Sequence, residues 1–215
     1  MENKSLLRIS LALRILYPIW MIIGMFALMY IPSLFFVKDN PVETAHNIKS
    51  SESLFRLGIL ANIITQLFAI FIPILLYWLF ESVSRSQALL MLVLNLIGVP
   101  LAMYGSVHYL QVLTMLDNPE QMMKHIHMSQ FGITIAYIFW GLWLFPLGAL
   151  LMKSRFFPKI ISYCLYMAGI GYVIGAFSAI ILPDLEYLND ITEVLTIGEV
   201  IFILWFVIKG IKQLD

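Results

Sequence analysis

The sequence predicts an all-α fold: a polytopic transmembrane bundle of six helices, residues 1–215 forming a single domain with the N- and C-termini both cytoplasmic. Three observations carry that prediction. Hydrophobic residues make up 61% of the chain and charged residues only 12%, against roughly 45–50% and about 25% in soluble domains. Six apolar stretches are long enough to cross a bilayer, since about 20 residues rising about 1.5 Å each span a hydrocarbon core about 30 Å thick. The basic residues, finally, fall mainly on one side of the topology that those stretches imply.

The first span runs from Ile15 to Phe36. With Lys4, Arg8 and Arg14 ahead of it, this segment superficially resembles a secretory leader. Its apolar run is too long for a signal core, however, and no small-x-small cleavage site follows, so it is expected to stay as the first transmembrane helix. The others are Leu57–Phe80, Ala88–Leu113, Phe131–Met152, Ile160–Leu182 and Val194–Lys209.

Sidedness follows from lysine and arginine. Lys4, Arg8, Arg14, Arg85, Lys153, Arg155, Lys159, Lys209 and Lys212 fall on the side of the termini, and only Lys38, Lys49, Arg56 and Lys124 on the other. Basic residues are retained in the cytoplasm, which places the termini there. The acids split the opposite way, with Glu2, Glu81 and Asp215 inside and the rest outside or in the outer leaflet.

The two inner loops are short, which makes spans two and three, and four and five, antiparallel neighbours. The outer loops carry Asp39-Asn40-Pro41-Val42-Glu43 and Asp117-Asn118-Pro119-Glu120-Gln121. In each, Asn suits the N-cap, Pro the first helical position, and Glu or Gln closes a capping box. Short surface helices are therefore predicted over Pro41–Ser50 and Pro119–His127. Leu142-Trp143 and Leu204-Trp205, followed at equal distance by Gly148 and Gly210, hint at a repeated hairpin.

Several stretches resemble the bacterial membrane-protein family known as domain of unknown function 4386. They are Ser51-Glu52-Ser53-Leu54-Phe55-Arg56-Leu57-Gly58-Ile59, the run from Leu151 through Lys153, Arg155 and Pro158 to Ile160, Gly169-Ile170-Gly171-Tyr172, and Ile197-Gly198-Glu199. The resemblance covers nearly the whole chain. One departure is Arg8-Ile9-Ser10-Leu11, where the family places Gly in an Arg-x-x-Gly entry to span one. The resemblance implies a six-helix protein of the bacterial inner membrane and no assigned activity.

Ionisable groups inside spans are costly and mark sites by default. Arg56 at the outer entry of span two, His108 near the outer end of span three and Glu199 in span six are the principal candidates. Asn62, Thr65 and Gln66 and, in span four, Gln130 and Thr134 occupy the same outer half. Together they suggest a polar cavity for a small lipophilic ligand, with Arg56, Asn62, His108, Gln130 and Glu199 as binding residues. The structural alternative is that Arg56 reaches the headgroups and pairs with Glu199, within a scaffold or accessory subunit.

His108 is placed to face His125 or His127, which opens a metal or haem reading. His125 and His127 point to opposite sides of a helix, however, and no ligand-spaced motif appears, so no cofactor and no metal are expected. No catalytic signature is present: there is no His-Glu-x-x-His, no Gly-x-Ser-x-Gly and no phosphate-binding glycine loop. Cys164 stands alone in an apolar run and reads as a small core residue. Thirteen Lys plus Arg balance thirteen Asp plus Glu, which leaves no net field to draw the chain to nucleic acid. The expected partners are the bilayer and a small lipophilic ligand.

Overall fold

The computed structural model describes residues 3–183 and 185–211, without the side chains of 3, 4, 186, 187, 189 and 190. Of the sidedness residues, Glu2, Lys212 and Asp215 and the Lys4 side chain lie outside that description. All described elements are helical. They are α1 (Asn3–Met25), a π-helical turn (Phe26–Tyr30), α2 (Ile31–Phe35), α3 (Pro41–Ser50), α4 (Glu52–Phe80), α5 (Arg85–Val112), α6 (Pro119–Leu142), α7 (Leu144–Ser154), α8 (Lys159–Ile181) and α9 (Glu186–Lys209).

Six helical stretches are long and apolar enough to cross a membrane: Ser5–Phe35, Glu52–Phe80, Arg85–Val112, Pro119–Ser154, Lys159–Ile181 and Ile191–Lys209. Their C-terminal ends agree closely with the hydropathy reading, but several begin earlier. Hydropathy locates the lipid-facing part of a helix, whereas its hydrogen-bonded ladder runs on through polar turns to the nearest cap. For α6 that cap is Asn118, whose Oδ1 accepts from the Gln121 amide at 3.3 Å. The surface helix expected over Pro119–His127 therefore begins where predicted and continues unbroken into the fourth span.

The surface helix α3 is separate, as expected. Asn40 Oδ1 accepts from the Glu43 amide at 3.1 Å, and the Asn40 side-chain amide donates to Glu43 Oε2 at 2.7 Å, so both ends of the cap are satisfied.

Two interruptions have proline causes. Pro32 has no N–H to offer the carbonyl four residues back, and the ladder widens into the π turn just before it. Pro146 likewise leaves the Leu142 carbonyl without its helical donor, and Trp143 stands at the break between α6 and α7. Trp205, in contrast, lies within unbroken α9, and Gly210 caps that helix at φ 64° whereas Gly148 is helical. The two Leu-Trp motifs thus occupy different local structures.

The chain divides into two compact units. One comprises residues 1–18, 69–98 and 134–215, the other residues 19–68 and 99–133. Within the second, α3 is fastened by a core of Ile31, Phe35, Ala45, Ile48, Phe55, Ile59, Val112, Leu116, Met122 and Ile126. Phe55 stands edge-on to Phe35 and Tyr109, with ring centroids 5.4 and 5.9 Å away. Each such aromatic pair adds about 0.5–1.5 kcal/mol beyond its buried area.

In the first unit, α8 and α9 form the closest pair. A Cβ on Gly198 would collide with the Cys164 carbonyl, and one on Gly171 would meet Leu195 Cβ at 2.7 Å and the Thr192 carbonyl at 2.8 Å. Small residues let these helices approach to backbone contact, the main source of packing energy where lipid supplies no hydrophobic contrast. Cys164 is half-buried beside that contact. Tyr17, fully buried, meets Phe202 and Phe206 edge-on at 6.0 and 5.9 Å.

Candidate functional site

The histidine on α5 is part of a hydrogen-bonded pair. His108 Nδ1 lies 2.9 Å from His125 Nδ1 on α6. Small residues bring the two helices together here: a Cβ on Gly105 would meet Ser129 Oγ at 2.8 Å, and one on Gly132 would meet the Leu101 carbonyl at 2.8 Å. His125 and Ser129 are four apart on one face of α6, while His127 is exposed on the opposite side. The Tyr104 ring stands edge-on to His108 with centroids 4.5 Å apart.

With Nδ1 committed to His125, the other nitrogen of His108 is chemically open. Nε2 is buried and has no hydrogen-bond partner among the described residues. Away from water an unmet polar nitrogen costs about 1–3 kcal/mol. The site can therefore donate to or accept from one further polar atom, and tautomer exchange within the pair decides which. Two histidines alone do not make a closed metal site, and among the described residues no group of three or more His, Cys, Asp or Glu is arranged to hold a metal.

The α4 candidates lie in the same unit. Asn62 is buried, and its Oδ1 accepts from Gln66 Nε2 at 3.3 Å, while Gln66 Oε1 has no partner among the described residues. Thr65 Oγ1 donates back to the Ala61 carbonyl at 2.9 Å, and the Thr65 carbonyl accepts from Trp20 Nε1 at 3.1 Å. This polar stripe is thus largely satisfied by its own helix and by Trp20. Arg56 is exposed and pairs with Glu52 one turn earlier at 2.8 Å. Such an i,i+4 pair is a surface feature worth about 0.3–0.5 kcal/mol. Gln130 is exposed on α6 and has an interaction of its own.

Glu199 belongs to the other unit. Its Oε2 accepts a hydrogen bond from Tyr172 Oη at 2.9 Å, joining α9 to α8. Tyr172 in turn packs at a tilt against Tyr137, with ring centroids 5.5 Å apart, and the Tyr137 ring lies 6.1 Å from that of Trp140. Gly141 makes room for this arrangement, since a Cβ there would come within 2.8 Å of Tyr172 Cβ. The carboxylate thus has Tyr172 as a neutral partner, and the arginine expected to pair with it is bound to Glu52. Tyr172 was visible in the sequence only as the end of a Gly-Ile-Gly-Tyr run, and a partner 27 residues away leaves no local signal.

The sequence pattern of the family described as Domain of unknown function (DUF4386) matches residues 15–210. The chain belongs to the DUF4386 family. A curated relative, an uncharacterized protein of the archaeon Archaeoglobus fulgidus, is 38% identical over 80 residues, which is 37% of this chain. The match spans 47% of that relative's length. No solved structure matches. As a DUF4386 protein, the chain is multi-pass by composition, with six helices able to cross a membrane and a polar cluster around His108 that membership in the family does not explain.

Proposed function

We propose that this DUF4386 protein lies in the cytoplasmic membrane with both termini inside and binds a small lipophilic molecule carrying one hydrogen-bonding group. His108 is the principal contact. The observation that carries the reading is the buried Nε2, without a hydrogen-bond partner among the described residues, of a histidine whose other nitrogen is held by His125. In a hydrocarbon setting a polar atom is retained at a cost unless something meets it. Tyr104 supplies an aromatic wall, and Asn62, Gln66, Gln130 and Arg56 in the same unit offer further polar contacts toward the outer face. Glu199, bonded to Tyr172 in the other unit, is assigned to holding α8 and α9 together. The charge count that puts the termini inside is nine basic residues against four.

Native mass spectrometry on protein released gently from its own membrane tests this reading. A defined small-molecule adduct is expected, retained by wild type and lost from His108→Ala at unchanged helical content. A bare mass in wild type, or an adduct indifferent to His108, favours an accessory or scaffold role in which the histidine pair only joins α5 to α6.

A further inference from the structure

The first unit contains a cleft of about 440 Å³ lined by Arg155, Phe156, Phe157, Pro158, Trp205, Lys209 and Gly210. It lies where α7 ends, α8 begins and α9 ends. Its two charged residues are both cations, its remaining side chains are aromatic or proline, and among the described residues no carboxylate lines it. No ion pair engages Arg155 or Lys209 among the described residues.

Cations at helix C-termini commonly cap the last carbonyls. For α9 that task is already done by another residue. Arg14 Nε donates to the Val207 carbonyl at 2.8 Å and Arg14 Nη2 to the Ile208 carbonyl at 3.2 Å, while the Gly210 amide donates to Phe206 at 2.8 Å. The Lys209 ammonium is left exposed at the cleft. Arg155 is turned out of α7 by its own left-handed conformation, φ 58°, an uncommon setting for a residue with a side chain.

We propose that this cleft holds the phosphate of an anionic phospholipid headgroup, gripped between Arg155 and Lys209. Guanidinium and ammonium together more than offset a phosphodiester's single negative charge and donate hydrogen bonds to its oxygens, with Arg supplying the planar fork. The size fits, since sites of about 300–1,000 Å³ hold small organic groups. Lipid is the source that the surroundings favour over a free phosphate. Trp205 supplies an amphipathic ring of the kind that settles at headgroup level. Ile160 and Tyr163 on α8, and Leu204 and Ile208 on α9, are exposed large apolar side chains on the two helices whose ends line the cleft, available to acyl chains. This inference is independent of the His108 site.

Stepwise delipidation of the full chain, followed by native mass spectrometry, tests it with phosphatidylglycerol and phosphatidylcholine supplied in equal amounts. Wild type is expected to keep one phosphatidylglycerol after phosphatidylcholine is gone. The ratio of the two retained lipids should fall about tenfold or more in Arg155→Gln/Lys209→Gln, because each basic residue at the surface contributes separately to anionic-lipid attraction. Arg8→Gln/Lys124→Gln should leave it unchanged. If the double variant does not fold, Arg155→Gln and Lys209→Gln alone read the same ratio. Equal retention of both lipids, or a ratio indifferent to Arg155 and Lys209, would overturn the proposal. Displacement of the lipid by equimolar soluble glycerol phosphate would overturn the lipid assignment and leave a phosphate site instead.

Discussion

His108 Nδ1 and His125 Nδ1 face each other at 2.9 Å, a distance at which one proton fits between them and two do not. One imidazole must donate and the other accept, so the two rings hold complementary tautomers. His125→Ala removes that constraint and leaves His108 with two unmet nitrogens. The expected cost is about 1 kcal/mol or somewhat more, read as a lower denaturation midpoint in detergent micelles. Ligand retention should weaken in the same variant, because Nε2 is no longer aimed.

The Tyr172–Glu199 bond separates a structural carboxylate from a ligand-binding one. Tyr172→Phe deletes one interhelical hydrogen bond, expected to cost about 0.6 kcal/mol inside a membrane. Glu199→Gln keeps an acceptor for Tyr172 and should stay close to wild type, whereas Glu199→Ala strands the hydroxyl and costs about 1–3 kcal/mol. A double-mutant cycle over the two positions gives the coupling directly. Ligand loss from Glu199→Gln at full stability would move Glu199 into the binding site.

Glycine substitutions should divide by what a Cβ meets. Gly198→Ala drives a methyl against the Cys164 carbonyl and must push α9 from α8, at about 1–3 kcal/mol. Gly24→Ala meets only Thr65 Cγ2 at 3.6 Å, an ordinary contact, and the gain in helix propensity should stabilise by about 0.5–1 kcal/mol. Equilibrium unfolding of the two variants in one detergent compares them.

Within the second unit, Lys49 Nζ lies 2.7 Å from Asp117 Oδ1 and holds that carboxyl below its usual value of 3.8. A depressed folded-state pKa gives stability that is present above 3.8 and is lost as pH falls through the lower folded value. Both groups are well exposed, so the effect is small and salt-sensitive. Carboxyl NMR should find the Asp117 midpoint below 3.8, returning toward it in Lys49→Ala or at high salt.

What the sequence disclosed follows from which forces act locally. Spans were legible because a bilayer demands about 20 apolar residues in a row. The α3 cap was legible because Asn40, Pro41 and Glu43 meet within one turn. The run of α6 from Pro119 straight into the fourth span was not, since nothing polar in His125–Gln130 marks a continuing ladder as opposed to a stop. Site residues were found by type rather than by partner. Arg56 and Glu199 were each conspicuous as charges near apolar helices, yet their partners, Glu52 and Tyr172, depend on rotamer choice and on how closely glycines let α6, α8 and α9 approach. The cleft at Arg155 and Lys209 was hidden for the same reason: the turn between α7 and α8 meets the end of α9, far along the chain, to create it.

Whether His108 Nε2 meets a ligand is decided by a high-resolution cryo-electron microscopy map of protein taken from its native membrane. Non-protein density is expected within about 3.2 Å of Nε2, the range of a hydrogen bond. A map in which Nε2 is bonded to a protein group and no such density is present would contradict it.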